Sequence, residues 1–177
     1  MIIRNDLIGC YIARKNESGE RHEFLQLRRA ASDYMGGTWQ TVAGCMEHSE
    51  TAWQAALREL KEETGLEPEE FFRSGIVGSF YIPGPTSEED QLFHQICFLA
   101  IVRRDAEVIL NEEHDAIRWI ARSEIDEKFM WPEDRNILRH LCEDILDGGL
   151  CAEHLRITHP LEGWRGETSG PANIAEH

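Results

Sequence analysis

No apolar stretch in this chain is long enough to form a membrane-spanning helix. No long apolar run follows the early basic residue in Met1-Ile2-Ile3-Arg4-Asn5-Asp6 either, so a signal peptide is not expected. Cysteine is sparse: Cys10, Cys45, Cys97, Cys142 and Cys151 are odd in number and contain no CxxC pair. A disulfide framework and a zinc ribbon are therefore both disfavoured, and reduced thiols in a cytoplasmic protein are expected. There is no internal repeat and no low-complexity tract. Positive charge is also scarce, with 18 Lys and Arg against 33 Asp and Glu, a formal net of -15. Such a surface repels a long polyanion, so a nucleic-acid polymer is not an expected partner. A small polyanion is admissible, because divalent cations can bridge it to a carboxylate-rich pocket.

The 177 residues suit one domain with a core of its own, and 41% of them are apolar. Leu7 to Ala13 and Glu23 to Leu27 read as strands joined by a polar hairpin segment containing Gly19. Asp33 to Thr38, with Gly36-Gly37, reads as a loop, and Trp39 to Ala43 as one short strand. Gly75 to Ile82 and Leu92 to Val102 read as strands on either side of a Pro, Gly, Ser and acid-rich loop, a candidate lid over Pro83 to Gln91. Ala116 to Ile120 is a further strand. Pro132 to Leu146 is a helix with Ile137, Leu138, Leu141, Ile145 and Leu146 on one stripe. Strands alternating with two helices imply an α/β fold with a mixed β-sheet between helices. The domain is expected over 1–155, with an irregular C-terminal tail over 156–177 in which Trp164 is a candidate anchor.

The clearest helix is Glu50 to Thr64. Ser49 is placed to cap it, Glu50 suits the positive end of its dipole, and Gly65 followed by Pro68 ends it. A helix turns about 100° per residue. Glu59, Glu62 and Glu63, spaced i, i+3 and i+4, therefore share a face. Carboxylates gathered this way repel one another unless a cation neutralises them. Trp53, Ala56, Leu57 and Leu60 form an apolar stripe beside that face, while Ala52 and Ala55 leave room above it. Arg58, one turn before Glu62, is placed to orient a carboxylate. Oxygen-only donors select a hard cation, Mg²⁺ with Mn²⁺ as a substitute. A solvated Glu face on an ordinary amphipathic helix is the alternative.

The longer pattern reads Gly, five residues, Glu, seven residues, Arg-Glu, apolar, any, Glu-Glu, any, Gly, apolar. It is filled by Gly44, Glu50, Arg58, Glu59, Leu60, Glu62, Glu63, Gly65 and Leu66. In these residues the chain resembles the Nudix hydrolase family. The resemblance implies an α/β/α sandwich over about residues 5 to 147 and hydrolysis of a diphosphate linkage in a small nucleotide-like substrate. It implies Glu59, Glu62 and Glu63 as metal ligands, Glu50 and Arg58 as a supporting salt-bridge network, and Gly44 as a point of close backbone approach. Dimers are common in the family, so a homodimer is compatible with the resemblance.

A finer resemblance rests on Trp39-Gln40, Glu113-His114, Arg118-Trp119, Met130-Trp131 and Arg135. These resemble the branch that hydrolyses dATP and dihydroneopterin triphosphate to a monophosphate and pyrophosphate. It implies Glu113 as an additional ligand or general base, against the alternative of an exposed acid in a turn. Arg28 or its neighbour Arg29 is a candidate for a substrate phosphate. Trp39 and Gln40 are candidates for the substrate's ring, against a core role for Trp39. His94 reads as structural. Other family chemistries remain open: cleavage of ADP-ribose, a nucleotide sugar or a dinucleoside polyphosphate, or a Nudix-fold sensor without catalysis.

Overall fold

A computed structural model describes residues 1–19 and 21–158. Most of the expected C-terminal tail, including Trp164, lies outside the described residues. Among the described residues, seven strands make one sheet: β1 (Ile2–Lys15), β2 (His22–Arg29), β3 (Trp39–Gln40), β4 (Val42–Cys45), β5 (Pro68–Ile82), β6 (Gln91–Val102) and β7 (His114–Ala121). β1 runs parallel to β6 and the other pairings are antiparallel, so the sheet is mixed as expected. No described helix is long and apolar enough to cross a membrane.

Strand alternation divides the core into two layers. Ile8, Cys10 and Ile12 of β1 join Leu25 and Leu27 of β2 against helix α1 (Ala52–Thr64), where Ala55, Ala56, Leu57 and Leu60 are buried. Tyr11 and Ala13 face the other way. They pack with Phe24 against α3 (Pro132–Leu141), which contributes Ile137, Leu138 and Leu141. Burying one large aliphatic side chain in such a layer contributes about 1.5–3 kcal/mol. The short helix α2 (Ile125–Lys128) precedes α3. A looser turn, Cys142–Leu146, prolongs the apolar stripe expected as far as Leu146. After α4 (Ala152–Leu155), Arg156 bridges to Phe72, and the Ile157 amide donates to the Phe71 carbonyl at 2.8 Å.

β1 serves two partners on one edge. Leu7 to Cys10 pair with β4, while Ala13 to Lys15 pair with β2. The segment read as one strand, Trp39 to Ala43, is therefore two short ones on different neighbours. Buried Thr41 sits at the crossing and donates its hydroxyl to the Cys10 carbonyl at 2.8 Å. This crossing delivers Gly44 to the side of α1, against Glu59.

Helix α1 starts two residues later than the sequence reading placed it. Thr51 is the N-cap, and its amide donates to Gln54 Oε1 at 2.9 Å. Ser49, the expected cap, is in the left-handed region with φ 67° and lies outside the helix. Glu50 is also outside, drawn to Arg58 instead of the helix dipole. The C-terminal reading holds: Gly65 has φ 69° and its amide donates to the Lys61 carbonyl at 2.8 Å. β5 begins at Pro68, earlier than expected from Gly75, and a register break between Arg73 and Val77 separates its two halves.

One ionisable pair bridges the sheet and α3. The Tyr11 hydroxyl donates to Asp134 Oδ1 at 2.7 Å, and both residues are buried. Burial pushes the Asp134 carboxyl up to about 6, partly opposed by the Tyr11 bond. An unfolded Asp titrates near 3.9. The folded value is higher, so this contribution to stability is present below that pH and is lost as pH rises through about 6. Urea unfolding of wild type and Asp134→Asn checks the sign. The stability of the variant minus that of wild type should increase by about 2–3 kcal/mol between pH 4 and 7. A flat or falling difference would mean that Asp134 is not held in an apolar setting.

Candidate metal centre

The hub of the site is Arg58. Its Nε and Nη2 each lie 3.0 Å from one oxygen of Glu50, giving a bidentate pair. Nη1 donates to Glu59 Oε1 at 2.8 Å and to Glu62 Oε2 at 3.2 Å. Nη2 also reaches the Cys45 carbonyl at 3.1 Å. The guanidinium holds Glu50 below the ordinary carboxylate range. One cation thus ties the helix face to the loop before it and to β4.

The three motif glutamates occupy different settings. Glu62 is open to solvent, with its side chain 56% exposed, whereas Glu59 is at 15% and Glu63 at 6%. Burial raises Glu59 above its usual range, against the pull of Arg58. Burial pushes Glu63 further, up to about 9, and the charges of Glu59 and Glu113 add to the rise. A hydrogen bond from the Ala43 backbone and the charge of Arg29 oppose it. Glu63 therefore keeps its proton at neutral pH in the bare protein.

Glu63 Oε2 lies 3.6 Å from His114 Nε2. Burial lowers the His114 pKa, assisted by Arg29, so the imidazole is neutral and this contact is not a charged pair. His114 Nδ1 lies 3.2 Å from Asn111 Oδ1, an acceptor, which places the ring proton on Nδ1 and turns the Nε2 lone pair to Glu63. A bulge aims this ring. Arg28 pairs with Ala116 and Arg29 with His114, leaving Asp115 as an extra residue in β7. Simple alternation would have set His114 on the same face as Ala116.

Gly44 has a packing reason to be glycine. A Cβ there would fall 1.9 Å from Glu59 Oε1 and 2.2 Å from Cδ. The Glu59 carboxyl lies directly against the β4 backbone, so the close approach expected at Gly44 is made by Glu59 itself.

Glu113 stands at the rim, 54% exposed, with Oε2 3.6 Å from Arg29 Nη2. Its charge raises both Glu59 and Glu63, which places it beside the cluster. Arg29 sits among these acids but is loosely held. Its Nε is buried without a hydrogen-bond partner among the described residues, and Nη2 is 3.4 Å from Asp33 Oδ2.

Not every candidate comes to the cluster. Arg28, named for a substrate phosphate, pairs with Asp115 at 2.6 Å. Leu25 and Leu27 face α1, so alternation sends Arg28 to the opposite side and Arg29 to the acids. Trp39 pairs with Arg28 in register and shares that opposite face. It is half-buried, with Arg118 4.2 Å above its ring, rather than a core residue. Gln40 pairs with Leu27, and its amide donates to Thr38 Oγ1 at 2.9 Å. His94 is partly exposed on β6, its Nδ1 2.9 Å from Ser79 Oγ. The sequence did not point to His114 as a partner of Glu63 and did not separate Arg29 from Arg28. The Glu113-His114 pair was the signal for the first, but its orientation depends on the bulge.

Among the described residues, no three carboxylate, imidazole or thiol groups already converge as a closed cage. Arg58 Nη1 stands between Glu59 and Glu62, bonded to both, while the Glu63 carboxyl is buried. The residues nonetheless fit a hard divalent cation. The donors are oxygens, two of the carboxyls are raised by burial and mutual charge, and the Gly44 backbone leaves the space that Glu59 fills.

A family model described as NUDIX domain matches residues 8–141. Octanoyltransferase of Myxococcus xanthus is 37% identical over 89 residues, 48% of this chain and 23% of that protein. Putative 8-oxo-dGTP diphosphatase 3 of Mycobacterium tuberculosis is 29% identical over 101 residues, 57% of this chain and 45% of that protein. The chain thus spans less than half the length of these curated relatives. Among solved structures, a C. elegans Ap4A hydrolase in a binary complex superposes with a TM-score of 0.62 at 23% identity. That match covers 84% of this chain and 99% of the other, a likeness of fold.

Gly44→Ala should force the Glu59 carboxyl off β4 while leaving the sheet intact. The expected result is roughly a tenfold or greater loss of Mn²⁺ affinity in an electron paramagnetic resonance titration, the scale seen when a ligand's support is lost. Unchanged affinity would separate Glu59 from metal binding.

Proposed function

The chain belongs to the NUDIX domain family, and on that premise we propose that it is a divalent-metal-dependent hydrolase of a diphosphate linkage in a small nucleotide-like molecule. The preferred substrate is a (deoxy)nucleoside or pterin triphosphate, giving a monophosphate and pyrophosphate. The observation that carries this reading is the acidic face of α1, where the Glu59 and Glu63 carboxyls are largely buried and Glu62 stands open. A purely solvated helix face would not bury two of its acids at such cost.

Glu59, Glu62 and Glu63 would hold Mg²⁺ or Mn²⁺, with Glu113 and the Gly44 backbone adjoining. The bound ion supplies a lowered pKa for the attacking water and stabilises charge on the phosphate oxygens. Arg58 fixes the rotamers of Glu59 and Glu62, so their negative charge is organised before substrate arrives. Glu113, exposed and outside the grip of Arg58, is assigned the proton from the attacking water. Arg29, with an uncommitted Nε, is assigned a phosphate oxygen in preference to Arg28. The buried His114 keeps Glu63 in place from behind. The free thiols accord with a reducing, cytoplasmic setting for this chemistry.

A panel of nucleoside triphosphates, dihydroneopterin triphosphate, ADP-ribose, nucleotide sugars and dinucleoside polyphosphates, with products identified, tests the substrate class. Pyrophosphate with a nucleoside or pterin monophosphate is the expected product pair. Glu62→Gln and Glu63→Gln should each lower kcat by roughly 100-fold or more. The melting temperature of Glu62→Gln should hold or rise as carboxylate repulsion is relieved, and that of Glu63→Gln should hold, since Gln replaces an uncharged carboxyl. Full turnover in both variants would contradict the assigned site.

A further inference from the structure

A second concave surface lies at the far end of the sheet, where the β1–β2 hairpin meets the turn after β7 and the end of the α3 extension. It is a cleft of about 800 Å³, within the range of about 300–1,000 Å³ common for small-molecule sites. His22 on its wall and Arg29 beside the acids mark opposite ends of β2, roughly 23 Å apart at the strand rise. The cleft is therefore separate from the α1 carboxylates.

Its charge is opposite to that of the chain as a whole. The two acids of its lining are already matched: Glu23 pairs with Arg14 at 2.6 Å, and Asp147 takes both arms of Arg122 at 2.6 and 2.8 Å. Lys15 and Arg21 also line the cleft, and neither side chain makes an ion pair or hydrogen bond with a described residue. Two exposed cations without a partner among the described residues therefore line one concavity in a protein of formal charge -15. The half-buried His22 lies across the hairpin from Lys15 and also lines the cleft. Burial, then Lys15 and Arg122, keep it from taking a proton, against Glu70 and Asp147. Leu146 and Ala121 supply an apolar wall.

We propose that this cleft binds a small phosphate-bearing anion. Lys15 and Arg21 match the two charges of a phosphate or phosphomonoester, and His22 offers a further polar contact. The apolar wall accepts an organic body where the ligand has one. Lys15 and Arg21 are exposed, so replacing them does not threaten the core.

The test is a ¹⁵N-resolved NMR titration of the full chain with inorganic phosphate and, separately, with ribose 5-phosphate, against sodium chloride at matched ionic strength. The amides of Lys15, Arg21, His22 and Ser123 should shift to saturation with at least one of the two ligands and not with chloride. The His22 pKa should rise in the bound state, because the anion offsets the cations beside the ring. A Lys15→Gln, Arg21→Gln double variant should bind about tenfold more weakly, the loss expected when charge-assisted contacts are removed. Tighter binding of the sugar phosphate identifies a phosphomonoester ligand, and equal binding identifies free phosphate. The site is overturned by unsaturable shifts that chloride reproduces, by equal affinity in the double variant, or by shifts confined to the neighbourhood of Arg29 and Glu113.

Discussion

Carboxylates crowded on one helical face raise each other's energy, and in this protein a single guanidinium makes the crowding tolerable. Arg58 contacts Glu50, Glu59 and Glu62 at once and anchors to the Cys45 carbonyl. Of the three motif glutamates Glu63 alone makes no bond to it, and burial, reinforced by the charges of Glu59 and Glu113, leads Glu63 to keep its proton. The two responses are complementary. Arg58 offsets charge where the face is reached by solvent, and protonation removes charge where the face is buried. A divalent cation would do both jobs together, which makes the bare arrangement a receptive one.

The sheet exists in this form to hold that face. Because β1 divides its edge between β4 and β2, the chain must cross at Thr41, and the crossing sets the Gly44 backbone against the Glu59 carboxyl. The bulge at Asp115 then turns His114 under Glu63 and leaves Arg28 bound to Asp115 on the other side. Two small irregularities thus decide which side chains meet the acids. The regular parts of the sheet, packed on α1 by one layer and on α3 by the other, supply the rigidity that makes those irregularities reproducible.

The helix and its acids were legible in the sequence because both are local. The spacing of Glu59, Glu62 and Glu63 and the glycine stop at Gly65 depend on helical geometry alone. The Arg58–Glu50 pair was legible only through the wider pattern, since seven residues of loop and helix separate its members. What stayed hidden depends on partners. Whether Arg28 or Arg29 reaches the acids turns on which face of β2 packs against α1. Whether Trp39 to Ala43 is one strand or two turns on β1 having two neighbours. The cap was misplaced by two residues because Ser49 and Thr51 are both suitable cap residues, and the pull of Arg58 on Glu50 selects between them.

The claim on which the rest stands is that the α1 acids form a cation site in the folded protein. Anomalous scattering from a crystal soaked in Mn²⁺ addresses it without reference to any substrate. A manganese peak within about 2.3 Å of carboxylate oxygens of at least two of Glu59, Glu62 and Glu63 is the predicted result, a distance set by hard-cation coordination to oxygen. Manganese bound elsewhere, with these three side chains ordered and free of it, would contradict the account.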